Sequence, residues 1–154
     1  MNTEHSRWVL SRERAIEELQ TTKLKFLTYS DLIYSNSLFE KMERIDNKDL
    51  KRTIIPTWCR YQNEEMELKN EDFFSFFFGD IGMEELTFLI TDEGHDNGWV
   101  FQFLVKDFAG FSKWYEASFA RDFFQFSDYL VVYPSLNMIR LLDDEGGINQ
   151  LVVL

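Results

Sequence analysis

Cysteine, histidine, proline and glycine are all scarce in this chain. The single cysteine, Cys59, leaves no internal disulfide to staple the fold. Two histidines, His5 and His95, are too far apart for an HxxxH or HExxH metal pair. Seven scattered glycines form no Gly-rich phosphate loop, and no G-x-S-x-G nucleophile elbow occurs. Two prolines, Pro56 and Pro134, each mark a break, and no Pro/Gly/Ser linker divides the chain. No apolar run reaches the ~18 residues of a membrane span. The opening "MNTEHSRWVL" lacks the apolar stretch of a secretory signal. The expectation is a soluble cytoplasmic protein, one domain over residues 1–154, with no membrane contact and no cofactor.

Basic residues are scarce in one half only. Residues 1–69 hold 12 Lys/Arg and 12 Asp/Glu, whereas residues 70–154 hold 4 and 15. The whole net charge of −11 therefore belongs to the second half. Nucleic-acid backbones are bound by Lys and Arg, so this half does not suit direct nucleic-acid contact. It suits a basic protein partner, or solubility alone.

Aromatic residues are abundant, with sixteen Phe among the 154 residues. A chain of this length buries roughly 68–70% of its unfolded surface, so most of these rings belong in a core. Trp58, Tyr61, Trp114, Tyr129 and Tyr133 are the candidates for exposed anchors, because interfaces favour Trp and Tyr.

Ser11 is placed to cap a helix over about 12–22, with Ala15, Ile16 and Leu19 on one face. Ser30 or Asp31 caps a second helix to about Ile45, with Leu38, Met42 and Ile45 on one stripe. In "LKRTIIPTWCRYQ", Pro56 excludes a central strand and favours an edge strand or ordered loop. "NEDFFSFFFGD" reads as a short helix: Asn70 caps it, Glu71 and Asp72 suit its positive end, and Phe73, Phe74, Phe77 and Phe78 share a face. Gly79 is expected as its left-handed terminator.

"EELTFLI" and "WVFQFLV" read as half-buried strands, joined by "TDEGHDNG" as a hairpin loop. "DFAGFSKWYEASFARDFF" reads as a helix. "SDYLVVY", "LNMIRLL" and "INQLVVL" read as strands, linked by the turns Pro134-Ser135 and "DDEGG". The predicted class is α+β: N-terminal helices followed by a mostly antiparallel sheet with an inserted helix.

Two acidic turns are the candidate partner-binding elements: Asp92, Glu93 and Asp96 in one, Asp143, Asp144 and Glu145 in the other. Three adjacent carboxylates repel one another, which is tolerable in water and useful against a Lys/Arg surface. The first turn also holds His95. A metal-dependent enzyme would use Asp92, His95 and Asp96, and Asp92-x-Gly94-x-Asp96-x-Gly98 is faintly similar to a calcium loop. Phe103 stands where that loop needs a bidentate Glu, so turn chemistry is the preferred reading and no metal is expected. A nucleophilic reading would use Cys59 with His5 or His95 as base. Its setting, "TWCRY", reads instead as a buried small hydrophobe. Glu65, Glu67 and Lys69 in "EMELK" match half of a nuclease core, but the upstream acid is missing. No catalytic residue is therefore assigned.

The stretch "DFFQFSDYLVVYPSLNMIRLLDDEGG" resembles the C-terminal part of small α+β immunity proteins of bacterial polymorphic-toxin and contact-dependent growth inhibition systems. The resemblance covers about the last third of the chain. It implies a cytosolic antitoxin that binds a cognate toxin domain, and no catalysis. The alternative on charge alone is a phage or defence regulator that mimics nucleic acid; its acids would be spaced like phosphates, whereas here they cluster in turns.

Overall fold

The computed structural model describes residues 7–33, 38, 40–41, 44, 50–55, 74–75, 77–120, 129–142 and 148–154. The expectations for His5, Pro56, Trp58, Cys59, Tyr61, the "EMELK" stretch, the Asn70 cap, residues 121–128 and the turn at 143–147 lie outside them.

Seven antiparallel strands form one sheet. They are β1 (Val9–Ser11), β2 (Leu50–Ile55), β3 (Leu86–Ile90), β4 (Trp99–Leu104), β5 (Tyr129–Tyr133), β6 (Met138–Leu142) and β7 (Ile148–Val153), in the order β1-β4-β3-β5-β6-β7-β2. The α+β class is thus met. β2 is an edge strand, one of the two readings of "LKRTIIPTWCRYQ". β1 is the other edge and precedes every helix named below, so the chain does not open with helices alone. Three residues are too few to show a period-2 pattern, which is why β1 escapes a sequence reading.

Among the described residues, the α-helices with defined bounds are α1 (Arg12–Leu19), α2 (Tyr29–Ile33), α3 (Asp92–Asn97) and α4 (Phe108–Phe119). Ser11 caps α1, its Oγ accepting from Arg14 N at 3.2 Å. α1 stops at Leu19, three residues short of expectation. The hydroxyls of Thr21 and Thr22 donate to the Glu18 and Leu19 carbonyls and satisfy the end of the helix. Thr28, not Ser30 or Asp31, precedes α2 as its cap. Asp31 sits inside the first turn and accepts from Thr28 N at 2.6 Å and from its hydroxyl at 2.9 Å, as the acid of a capping box does. Lys41 Nζ pairs with the same carboxylate oxygen at 2.6 Å. Beyond α2, Leu38, Glu40, Lys41 and Arg44 are helical.

Phe74, Ser75, Phe77 and Phe78 are helical too. Gly79 does not end this segment in the left-handed region; among the described glycines only Gly98 has positive φ. Gly79 is needed for close approach instead, since a Cβ there would lie 2.5 Å from the Ser75 carbonyl oxygen. α4 ends at Phe119 rather than running on, because Ala120 adopts φ 53°, a conformation that breaks a right-handed helix.

The sheet is covered on both faces, and the faces differ in chemistry. One carries Leu89, Phe101, Phe103, Tyr129, Val131 and Tyr133, packed against α4 and the Phe77–Phe78 pair. The other carries Phe88, Ile90, Val100, Leu130, Val132 and Ile139, packed against aliphatic residues of α1, α2 and the chain between them. The half-buried reading of β3 is therefore corrected. Four of its five residues are buried, as are all five of β5, because helices lie on both sides. On the aromatic face the Phe101 ring lies 5.5 to 6.2 Å from those of Phe111, Tyr115, Trp114 and Phe119. Phe103 stacks on Phe111 at 4.6 Å.

Candidate functional site

The strand registers define two ends of the sheet. Ser11 pairs with Trp99, Ile90 with Leu130, Tyr129 with Leu142, and Ile148 with both Leu142 and Ile55. All of these residues lie at one end. α3 closes that end between β3 and β4. The strand termini Leu142 and Ile148, which bracket Asp143, Asp144 and Glu145 in the chain, belong to the same end. β6 is two strands from β3, about 10 Å across the sheet at the usual strand spacing. That is on the scale of the ~8–10 Å Debye length in physiological salt.

The "TDEGHDNG" stretch is not an irregular hairpin loop; Asp92–Asn97 is a helix. Thr91 supplies the cap, its Oγ1 accepting from Gly94 N at 3.3 Å. Asp92 and Glu93 then occupy the first turn, where the helix dipole favours acids. Gly98, at φ 75°, ends the helix in the left-handed region. Residues that also suit a tight turn thus serve as helix start and stop signals. Gly94 has no room for a side chain: a Cβ would lie 2.9 Å from the Trp99 carbonyl oxygen and 3.4 Å from the Phe101 ring.

Buried groups hold α3 from below. Arg12 Nη2 donates to Gly94 O at 3.2 Å, and Tyr115 Oη donates to Thr91 Oγ1 at 3.3 Å. Arg12 comes from α1 and Tyr115 from α4, so three elements converge under one helical turn. Asp92 and Asp96 are exposed above it. The Thr91 cap was missed in the sequence, where a Thr followed by two acids is the signal that could have shown it. Arg12 was not, being 82 residues away from Gly94.

Among the proposed anchors, Trp114, Tyr129 and Tyr133 are core residues and not exposed; Tyr129 and Tyr133 have no accessible surface. The physical cause is the second cover. α4 and the segment carrying Phe77 and Phe78 lie over the face on which these rings stand.

A second polar constellation sits on the aromatic face. Arg140, only 4% exposed, gives Nη1 and Nη2 to Asp80 Oδ1 and Oδ2 at 2.9 and 2.7 Å. Its Nη1 also reaches Phe77 O at 2.9 Å, and its Nε reaches Gln150 Oε1 at 2.7 Å. The Tyr133 hydroxyl donates to the same Phe77 carbonyl. The Arg140 hydrogen bond holds the Asp80 carboxyl below its ordinary range, and burial pushes the Tyr133 phenol well above its own. All of these donors are spent on the protein itself, so the cluster fastens the Phe77–Asp80 segment to the sheet.

Among the described residues, no group of three or more His, Cys, Asp or Glu side chains is arranged to hold a metal ion. None of the described helices is long and apolar enough to cross a membrane. No protein-family model, curated protein or solved structure matches this chain.

Proposed function

We propose that this chain is an acidic binding protein that captures a basic protein through the acid-rich end of its sheet. We further propose that the partner is a cognate toxin domain, a nuclease, which capture neutralises in the cytoplasm. The observation that carries the reading is the shared end. α3, with Asp92 and Asp96, lies beside the strand termini that bracket Asp143, Asp144 and Glu145. The charge of −11, confined to residues 70–154, supports it, as does the resemblance of the last third to immunity proteins.

Nucleases bind phosphate through Lys and Arg, and a carboxylate-rich surface suits the same groups. Complementary charge raises association from about 10⁵–10⁶ to about 10⁸–10⁹ M⁻¹s⁻¹ at low salt, which an inhibitor of a toxic enzyme needs. α3 is anchored by Arg12, Thr91 and Tyr115, so its acids are held in place before binding and little ordering entropy is lost. The role requires no catalytic residue, metal or cofactor of this chain.

The test is capture from the native cell at low salt with release by rising salt. The expected result is one basic protein, toxic alone and harmless when this chain is co-expressed. Association is expected to slow when Asp143, Asp144 and Glu145 become Lys, and likewise for Asp92, Glu93 and Asp96. Unchanged association in both triple variants removes this end as the interface. No captured protein, from cells shown to express the neighbouring genes, sinks the reading.

A further inference from the structure

We draw no further inference here: the strongest candidate, the open cavity of about 410 Å³ that Phe74, Met83, Val105 and Phe108 wall beside the start of α4, carries nothing, because its polar lining groups are engaged within the chain, Lys106 with Glu84 and Ser112 with the Ala109 carbonyl, and nothing in the structure shows what covers it.

Discussion

Arg140 and Asp80 meet in a two-pronged pair, one partner buried and the other largely in water. The Arg140 side chain is 5% exposed and that of Asp80 is 66%. The asymmetry has a consequence for mutation. Asp80→Ala leaves a buried cation without its counter-charge, whereas Arg140→Leu leaves a carboxylate that water can solvate. A double-mutant cycle on these two variants, read by urea unfolding, is expected to give a coupling of about 0.5–3 kcal/mol, the range for residues in one ion-pair network, toward the lower end because water screens Asp80. Coupling indistinguishable from zero would mean that solvent already screens the pair.

The same pair makes stability depend on acid. The Asp80 pKa is lowered in the folded chain, chiefly by the Arg140 hydrogen bond, from the ordinary 3.8. A depressed carboxyl pKa contributes stability that is present above 3.8 and is lost as pH falls through the lower folded value. Asp80→Asn is therefore expected to flatten the fall of the urea midpoint below that pH while shifting the neutral-pH midpoint down. An unchanged acid limb in Asp80→Asn would assign the acid sensitivity to other carboxylates.

Gly94 lies inside α3 and Gly98 directly follows it, and the two are glycines for different reasons. At Gly94 a methyl group meets the Trp99 carbonyl and the Phe101 ring; at Gly98 it meets nothing, and only φ 75° opposes it. Gly94→Ala is expected to cost about 1–3 kcal/mol through overpacking. Gly98→Ala is expected to cost about 1–2 kcal/mol through backbone strain alone. Thr91→Val, which removes the cap, is expected to cost about 1 kcal/mol. Equal, negligible effects at all three positions would contradict a packed helix here.

Phe101 is the hub of the aromatic face, fully buried and edge-on to Trp114 and Tyr115. Phe101→Ala is expected to cost about 3–5 kcal/mol by thermal or urea unfolding. Lys113, exposed on the outer side of α4, serves as the control. Lys113→Ala is expected to stay within about 0.5 kcal/mol of the parent.

Much of the architecture was legible because hydrophobic periodicity reports local geometry directly. "SDYLVVY" and "INQLVVL" read as strands, and Tyr129–Tyr133 and Ile148–Val153 are strands; Ser11 reads as a helix cap and is one. "LTFLI" was read as a strand with one wet face, because alternating Thr with Leu and Phe resembles a surface strand. Thr87 is nevertheless buried. What covers a face is a long-range property, and a five-residue pattern does not carry it. Tyr129, Tyr133 and Trp114 were misjudged for the same reason, their exposure depending on helices remote in the chain. α3 was misjudged for another: Thr, Asp, Asn and Gly serve both as turn residues and as helix caps.

The amino-acid sequence by itself determined the α+β class, most strand positions, and the confinement of the net charge to residues 70–154, because composition and periodicity are local quantities. Only the tertiary structure decided that α3 and the strand termini bracketing Asp143–Glu145 share one end of the sheet. That follows from strand direction and order, and both are set by which faces bury best against one another. It decided also that Arg12 supports α3 from 82 residues away and that most of the buried aromatic rings gather on one face of the sheet. Residues distant in the chain meet only when the core that brings them together has formed.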